Sequence, residues 1–491
     1  MERLHDACGI VGIYTQGEKN IDVRRYLTLA LTALQHRGQE SAGMAVYDGE
    51  GKIVHRVGMG KVREVFSDTG TGLPETQCGI GHVRYSTTGS SCVENAGPFV
   101  VGDESPHYAA LAVAHNGNLV NGPALREQLP QELLNSTTDS EAIAWLLLHA
   151  EGPGLRERML EVFPRLRGAY SLVILAQGKL YAMRDPWGMR PLCIGRIGES
   201  WMVASESCAL DRVGASYVRE VEPGELITLD EMGMHAELLT QAPRQTTCVF
   251  EYIYFSDATS RLSGKYVYTV REALGRELAH EHPVEADLVV PVPDSSIPAA
   301  LGYAAASGIP YGQAIIKNRY SDRSFIKPDQ RLRELEVDLK FNMVKPKIEG
   351  ARLVIVDDSI VRGNTMKRLV AALRHQGVKE IHLRSSAPPL RHPCYFGIDI
   401  PQEDELIAAG RSVQEIADYI GVDSLGYLSV AGLGRVLVPL EGEEVNDEMA
   451  RGYLHSKFCY GCMEKQGWPF NPLAAQKVTG SKRQIAIRLG Q

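Results

Sequence analysis

"LVIVDDSIVRGNTMKRL", residues 353–369, is the stretch that decides the fold of the second half of the chain. Its first four residues are apolar and predict a short buried strand, two acids follow at the carboxyl end, and Gly363 precedes a predicted helix. In open parallel sheets, ligands bind beyond the carboxyl ends of the strands, and free N–H groups at a helix N-terminus attract anions. The stretch therefore predicts a phosphate site.

The two acids, Asp357 and Asp358, suit a sugar and a metal ion. Carboxylates accept hydrogen bonds from vicinal hydroxyls and hold hydrated Mg²⁺ beside a pyrophosphate. The residue order is not that of a Walker A loop. An acidic strand end followed by a turn explains the acid pair alone, but the whole stretch favours a ligand site.

The stretch resembles the phosphoribosylpyrophosphate (PRPP) signature of type I phosphoribosyltransferases. This resemblance implies that Asp357 and Asp358 contact the ribose hydroxyls and Mg²⁺, and that the next loop holds the 5-phosphate. The PRPP-binding residues implied in that loop are Ser359, Val361, Arg362, Gly363, Asn364 and Thr365. Asn364 stands where the family pattern has threonine, so we expect the loss of one hydroxyl contact to phosphate.

The surrounding segments, from DLVVPVPDSS to EIHLRSSAP, alternate between strand and helix patterns and predict a parallel sheet. One strand ends at Asp294 and Ser295, where the resemblance places pyrophosphate and one Mg²⁺ per subunit, with Ser295 as a ligand beside the two acids. Residues 317–334 carry six basic side chains in a predicted loop. We interpret this loop as a lid over a polyanion, with Lys327 on PRPP, rather than as a solvated face.

"HDACGIVGIY", residues 5–14, places Cys8 where the first strand begins. A thiol is an activated nucleophile beside a base, and the α-amino group of Cys8 becomes such a base once residues 1–7 are removed. We therefore expect residues 1–7 to be a propeptide. A lone cysteine near a terminus is more often a small buried strand residue, so other residues must decide.

Four further motifs, LQHRGQESAG, HVRYSTTG, HNGNL and TTDSEAI, supply the partners that glutamine hydrolysis needs. An oxyanion requires fixed donors, and the α-groups of glutamine require an arginine and an aspartate. With CGIVGIY, these motifs resemble the class II, N-terminal-nucleophile glutamine amidotransferases, whose fold is an αββα sandwich. The resemblance implies an oxyanion hole at Asn116 and Gly117 and glutamine contacts from Arg37, Arg84 and Asp139.

Joined in one chain, the two halves resemble the enzymes that begin purine synthesis. The resemblance implies that ammonia released at Cys8 passes through a sheltered route to C1 of PRPP, giving 5-phosphoribosylamine, pyrophosphate and glutamate. It also implies a homotetramer and feedback inhibition by purine nucleotides. The alternatives are an amidotransferase that aminates a sugar phosphate, which needs an isomerase-like second half, and a PRPP-sensing regulator without catalytic residues.

Nine cysteines, an odd number, argue against a disulfide framework. FCYGC places Cys459 and Cys462 in a C-x-x-C pair, and Cys248 and Cys394 are available as distant ligands. Four thiolates suit zinc as well as an iron–sulfur cluster. The resemblance, in its propeptide-bearing branch, implies a structural [4Fe–4S] cluster on these four cysteines.

The chain of 491 residues has a net charge of −8, which suggests neither a nucleic-acid partner nor a membrane surface. Its longest apolar run, AIAWLLLHA, is too short to cross a membrane, and the predicted location is cytoplasmic. A change in pattern near residue 245 predicts a domain boundary there. With this boundary, the resemblance implies an αββα amidotransferase domain over 8–245 and a parallel α/β phosphoribosyltransferase domain, with a cluster-binding carboxyl-terminal segment, over 246–470. A basic tail, 471–491, is expected to be loosely held.

Overall fold

The computed structural model describes residues 8–18, 20–66, 71–85, 91–102, 109–318, 341–400, 402–439 and 445–476. The predicted propeptide, most of the predicted lid and most of the basic tail lie outside these residues.

The first sheet of the amino-terminal half is antiparallel and has seven strands. In spatial order these are Ser216–Glu220, Cys193–Ile197, Ser200–Ala204, Gly9–Tyr14, Cys78–Arg84, Ser41–Tyr47 and Ile53–Met59. The strand Gly9–Tyr14 is central, and all six of its residues are buried. Cys8 therefore stands directly before a strand that neighbours hold on both edges.

The second sheet is antiparallel and has six strands. In spatial order these are Gly233–Leu238, Glu225–Asp230, Lys179–Arg184, Gly168–Ala176, Leu111–Leu119 and Phe99–Val101. Apolar residues of both sheets, including Ile10, Ile80, Ala114 and Val173, share one buried core. The two sheets therefore pack face to face.

Helices cover the outer faces of this sandwich. The apolar residues of VRRYLTLALTALQHRG, residues 23–38, recur at helical spacing and predict an amphipathic helix. The helix Val23–Ala33 buries Val23, Leu27, Ala30 and Leu31, as this spacing predicts. The other α-helices of this half are Val62–Val65, Gly122–Arg126, Asp139–His149, Leu155–Val162 and Ser207–Arg212. Single 3₁₀ turns occur at Val93–Asn95, Gln131–Leu133 and Phe163–Arg165. The predicted αββα arrangement is confirmed.

The second half contains a parallel sheet whose strands are, in order, Leu288–Pro291, Arg352–Asp357, Glu380–Ser385 and Ser424–Tyr427. Short two-stranded pairs join Thr247–Cys248 to Phe458–Cys459, Arg261–Leu262 to Lys265–Tyr266, and Ile315–Lys317 to Phe341–Met343. The first strand of the parallel sheet ends at Pro291, as expected for a proline that cannot donate to a ladder.

The helices of this half pack on both faces of the parallel sheet. Within the described residues, its α-helices are Val267–Glu281, Ile297–Ser307, Lys345–Ile348, Asn364–His375, Val413–Ile420, Val430–Leu437, Asp447–Lys457 and Pro472–Ala475. A π-helix at Glu251–Phe255 and 3₁₀ turns at Glu403–Glu405 and Lys465–Gly467 complete them. None of the helices in the described residues combines the length and apolar character needed to span a membrane.

Candidate active site

Cys8 is half-buried at the start of the central strand of the first sheet. Its thiol donates a weak hydrogen bond to the carbonyl oxygen of Tyr85, with a sulfur–oxygen distance of 3.7 Å. Burial raises the pKa of the thiol, and the positive charges of Arg84 and Arg37 offset this only in part. Attack by Cys8 on a substrate therefore requires a base beside the sulfur.

Arg37 does not have the surroundings expected of a glutamine ligand. Its guanidinium is fully buried and donates to the carboxylates of Glu206 and Glu251. Its Nε donates to the main-chain oxygen of Cys8 at 3.1 Å. The guanidinium is thus enclosed and paired with two carboxylates. The structure shows Arg37 in contact with the main chain of Cys8, and its expected contact with glutamine stays a prediction.

Asn116 and Gly117 are neighbours near the end of the strand Leu111–Leu119. The side chain of Asn116 is fully buried, and neither its Nδ2 nor its Oδ1 has a hydrogen-bond partner among the described residues. Gly117 has φ +151°, and a Cβ there would lie 2.0 Å from the main-chain oxygen of Ala169, so only glycine fits. An unpaired buried amide beside a glycine N–H suits an oxyanion hole.

Asp139 begins a helix and Arg84 ends a strand, and the charges of both act on the Cys8 thiol. The Oδ2 of Asp139 accepts a hydrogen bond from the main-chain N–H of Leu119 at 2.8 Å, and Oδ1 lies 3.5 Å from Nδ1 of His115. Burial alone would raise the pKa of Asp139, but His115 and these hydrogen bonds outweigh it and lower the pKa. The carboxylate is therefore ionised at neutral pH.

Asp357 and Asp358 stand at the carboxyl end of their strand, as the sequence predicts. The Oδ2 of Asp358 accepts a hydrogen bond from the hydroxyl of Ser295 at 2.5 Å, and Oδ1 accepts one from the hydroxyl of Ser359 at 2.8 Å. The structure thus brings together the three residues expected to hold Mg²⁺, which are Ser295, Asp357 and Asp358. Two carboxylates and a hydroxyl fit Mg²⁺, which takes its remaining ligands from water and phosphate.

The loop after these acids enters the helix Asn364–His375 through Gly363, whose φ of +80° is in the left-handed region. The main-chain oxygen of Val361 accepts a hydrogen bond from Ile407 at 2.9 Å, and Arg362 pairs with Glu405 at 2.7 Å. These contacts attach the loop to residues 405 and 407. Because the carbonyl oxygen of Val361 already accepts a hydrogen bond, the expected contact of Val361 with PRPP would be made by its main-chain N–H.

Tyr419 is a part of this site that the sequence did not reveal. Its hydroxyl donates to Oδ1 of Asn364 at 2.7 Å, and Nζ of Lys367 and Cζ of Arg411 lie 4.1 and 5.3 Å from its ring centroid. The ring therefore gathers two cations beside the predicted phosphate loop. No local motif signals this contact, because Tyr419 lies 55 positions after Asn364.

The predicted lid is described only at its start. Lys317 lies at the end of the strand Ile315–Lys317, and its Nζ is 2.9 Å from Oδ2 of Asp294. Lys327, the residue expected to contact PRPP, lies outside the described residues.

Four of the nine cysteines, Cys248, Cys394, Cys459 and Cys462, line one small cavity together with Arg190. The pairing of Thr247–Cys248 with Phe458–Cys459 sets Cys248 directly opposite Cys459. The sulfur of Cys394 also accepts a hydrogen bond from the N–H two residues later, at 3.4 Å. Four thiols that face one cavity fit a soft metal centre. In the described parts of the chain, no three His, Cys, Asp or Glu side chains are grouped to hold a single metal ion.

Three buried charged residues near the domain junction, Glu206, Glu251 and Arg190, were also missed. A usable signal exists for Glu251, since CVFEYIYF, residues 248–255, contains one acid inside an otherwise apolar run. A carboxylate buried by such a run is costly unless it pairs with a cation, so a buried cation is expected beside it. Its cations are Arg37 and Arg190, at 3.0 and 3.2 Å.

Two family models match the chain, one in each half. A glutamine amidotransferase domain matches residues 94–212, and a phosphoribosyl transferase domain matches residues 267–396.

Relatives match almost the whole chain. An amidophosphoribosyltransferase of Methanothermobacter thermautotrophicus is 46% identical over 465 residues, 94% of each chain. One of Archaeoglobus fulgidus is 47% identical over 434 residues, which cover 87% of this chain and 93% of the relative. One of Bacillus subtilis is 44% identical over 432 residues, 88% of this chain and 89% of the relative.

Two solved structures share the fold at 40% identity. The glutamine PRPP amidotransferase of Bacillus subtilis, complexed with ADP and GMP, has a TM-score of 0.83 and covers 93% of this chain and 96% of its own. A structure described as the allosteric regulatory enzyme of purine biosynthesis has a TM-score of 0.85 and covers 96% of this chain and 100% of its own. The predicted two-domain fold class is confirmed, and the chain belongs to the amidophosphoribosyltransferase family of glutamine-dependent pentosyltransferases, which amidate PRPP in purine biosynthesis.

Proposed function

We propose that Cys8 is the nucleophile that hydrolyses glutamine, and that the ammonia is added to C1 of PRPP held at Asp357 and Asp358. The observation that carries this proposal is the unpaired buried amide of Asn116 beside Gly117. Asn116 follows His115, which contacts Asp139, and the charge of Asp139 acts on the Cys8 thiol. These links support an oxyanion hole and a thiol in one site.

Removal of residues 1–7 would give Cys8 an α-amino group, with a reference pKa of about 7.7–8.0, next to its own thiol. The amine takes the thiol proton, and the thiolate adds to the carboxamide carbon of glutamine. The carboxamide oxygen becomes an oxyanion that accepts hydrogen bonds from Asn116 Nδ2 and the N–H of Gly117. The C–N bond then breaks, ammonia leaves with the proton held by the amine, and water hydrolyses the remaining thioester to glutamate.

Two charged residues would orient the glutamine. Arg84 binds its α-carboxylate and Asp139 binds its α-ammonium group, because each offers the opposite charge near the sulfur. Arg37 would support the same reaction by holding the main chain of Cys8 through its hydrogen bond to the carbonyl oxygen.

In the second half, Asp357 and Asp358 bind the ribose hydroxyls, and the loop Ser359–Thr365 binds the 5-phosphate. Ser295 and the two acids would hold one Mg²⁺ ion, whose charge stabilises the departing pyrophosphate. Ammonia forms a bond to C1, the bond from C1 to the pyrophosphate oxygen breaks, and the nitrogen loses a proton to give 5-phosphoribosylamine. We also assign Lys327, in the predicted basic lid, to PRPP binding.

Ammonia released at Cys8 would reach C1 without passing through open water, where it would be protonated and diluted. The two halves touch next to the oxyanion hole, since Nδ2 of Asn118 donates to the carbonyl oxygen of Tyr395 at 2.8 Å. This contact supports a sheltered route between the sites.

Cys248, Cys394, Cys459 and Cys462 would hold a [4Fe–4S] cluster, as in the propeptide-bearing branch of the family. Their shared, sulfur-lined cavity supports a soft metal centre. Such a centre would tie the carboxyl-terminal segment to the domain junction, a structural role.

The remaining assignments concern domains, assembly and control. We assign the glutamine domain to residues 8–245 and the PRPP domain to residues 246–470. We propose that the active protein is a cytoplasmic homotetramer. Purine nucleotides are the proposed feedback inhibitors, since the Bacillus subtilis relative was solved with ADP and GMP and a 5-phosphate loop also suits nucleotide phosphate.

Glutamate release, measured with and without PRPP and Mg²⁺, tests the proposal. We expect PRPP to stimulate release in the wild type and Cys8→Ser to abolish release, while Cys8→Ser still forms 5-phosphoribosylamine from added ammonia. Glutamate release that persists in Cys8→Ser would refute the assignment of Cys8 as the nucleophile. Release that does not change when PRPP is added would refute the coupling between the two sites.

A further inference from the structure

A chain of buried charges runs from Cys8 across the domain junction. Glu251, on the π-helix that begins the second half, shares its Oε1 between Nη2 of Arg37 at 3.0 Å and Nη1 of Arg190 at 3.2 Å. The side chains of all three residues are at most 1% exposed. We call Arg37, Glu251 and Arg190 the junction network. Glu251 lies between two buried arginines, and Arg37 also pairs with Glu206, so each buried charge depends on its partners for its position.

One end of the junction network holds the main chain of the nucleophile. The Nε of Arg37 donates to the carbonyl oxygen of Cys8 at 3.1 Å. If Cys8 is the first residue, no preceding peptide restrains it, and chain termini are mobile unless they are tied down. A fixed carbonyl then limits how both the thiol and the amine of Cys8 can move.

The other end reaches the loop 394–397 of the second half. The Nη2 of Arg190 donates to the carbonyl oxygen of Phe396 at 2.6 Å, and the N–H of Phe396 donates to the sulfur of Cys394 at 3.4 Å. Both peptide groups of Phe396 are therefore held, one by the junction network and one by a cysteine of the cavity.

The same loop lies against the oxyanion hole. The carbonyl oxygen of Tyr395 accepts a hydrogen bond from Asn118, and Gly397 approaches the peptide that joins Gly117 to Asn118. A Cβ at Gly397 would lie 2.9 Å from the carbonyl carbon of Gly117 and 3.1 Å from the main-chain nitrogen of Asn118. This contact leaves no room for a side chain.

We infer that the second half supplies positioning residues to the glutamine site: Glu251, held by Arg190 of the first half, positions Cys8 through Arg37, and Gly397 with Tyr395 holds the oxyanion peptide. This inference rests on the proposed role of Cys8. The two contacts reach the nucleophile and the oxyanion donors separately, so the amidotransferase sandwich alone forms an incomplete site. Neither contact touches Asp357 or Asp358, so addition of free ammonia to PRPP does not depend on them.

The first test is Gly397→Ala, with Gly350→Ala as the matched control. Gly350 also has a positive φ, +73°, but no atom lies within 4 Å of its Cβ position, so it carries the same backbone strain without the clash. We expect Gly397→Ala to lower kcat for glutamine hydrolysis about 10- to 100-fold, as a misplacement of roughly 1 Å does. KM for glutamine and ammonia-dependent synthesis should stay within about twofold of the wild type.

The second test is Glu251→Gln, which keeps the shape of the side chain and removes its charge. We again expect a lower kcat for glutamine hydrolysis with little change in KM. We also expect Cys8 to react more slowly with an electrophilic glutamine analogue, and mass spectrometry measures this rate. The labelling needs no turnover and reports the position of the sulfur directly.

The outcomes separate the inference from the proposed function. If Cys8→Ser is inactive with glutamine while Gly397→Ala and Glu251→Gln match the wild type, the inference fails and the proposed function stands. If Gly397→Ala loses glutamine- and ammonia-dependent activity equally, or if Gly350→Ala shows the same loss, the loop has only a general structural role and the inference is overturned. Activity of Cys8→Ser with glutamine would overturn the proposed function itself.

Discussion

The hydroxyl of Ser295 donates a 2.5 Å hydrogen bond to the carboxylate of Asp358, 63 positions later in the chain. The two residues follow neighbouring parallel strands, Leu288–Pro291 and Arg352–Asp357, whose carboxyl ends meet at one edge of the sheet. That edge is where a ligand of an open α/β sheet binds. The contact joins two loops that the sequence assigned separately to pyrophosphate and ribose.

Replacement of Asp358 by asparagine should lower the synthesis of 5-phosphoribosylamine from PRPP but not the hydrolysis of glutamine. Loss of a charged hydrogen-bond acceptor is expected to lower ammonia-dependent synthesis about 10- to 100-fold at fixed PRPP and Mg²⁺. Glutamine hydrolysis without PRPP should not change. Asp404→Asn, at an exposed site, is the control. Equal activity of the two variants would rule out Asp358 as a PRPP ligand.

Replacement of Asn116 by alanine should affect the transition state of glutamine hydrolysis. Removal of one oxyanion donor is expected to lower kcat about 100- to 1,000-fold, with KM for glutamine within about threefold, because the donor acts mainly on the developing charge. Initial rates of glutamate release measure both constants. Asn342→Ala, at an exposed strand position, is the control. A change confined to KM would instead place Asn116 in ground-state binding.

The buried His82 should make the protein sensitive to acid. Burial, with the charges of Arg84 and His115, lowers the pKa of His82 to about 3, against about 6.5 in an unfolded chain. Between these values the unfolded chain binds a proton that the native protein does not, so stability falls by about 1.4 kcal/mol for each pH unit below 6.5.

His82→Gln should therefore lose about 2 kcal/mol less stability than the wild type between pH 7.5 and about pH 5. Denaturant unfolding at the two pH values measures this difference, and comparison of each protein with itself cancels the packing cost of the substitution. His55→Gln, at an exposed position, should behave as the wild type does. Equal losses in all three proteins would show that His82 titrates normally.

The four-cysteine cavity should contain iron and acid-labile sulfide, about four of each per chain. Cys462→Ala is expected to lose both, together with the visible absorbance, because it removes one of four ligands. Cys208→Ala, which changes a buried thiol outside the cavity, should keep them. Elemental analysis decides the result, and one zinc per chain without sulfide would contradict the cluster.

The sequence predicted those features that follow from local pattern. The helix Val23–Ala33 has its apolar residues on one face, and the strand Arg352–Asp357 is a continuous apolar run between a loop and two acids. Both signals lie within a few residues, so neither depends on the rest of the fold.

Features that depend on distant partners were not predictable in this way. The motif LQHRGQESAG marked Arg37 as important, but its partners Glu206 and Glu251 lie 169 and 214 positions away. An arginine that binds a substrate and one that binds buried acids look alike in a sequence. Tyr419 at the predicted phosphate loop and Gly397 at the predicted oxyanion hole are positioned by tertiary contacts and carry no local signal.

The most direct test of the account is the mass of the amino-terminal peptide of fully active protein after reaction with an electrophilic glutamine analogue. We expect a peptide that begins at Cys8 and carries one analogue on that residue, with complete loss of glutamine hydrolysis. An active protein that retains residues 1–7, or an inactivated one labelled elsewhere, would contradict it.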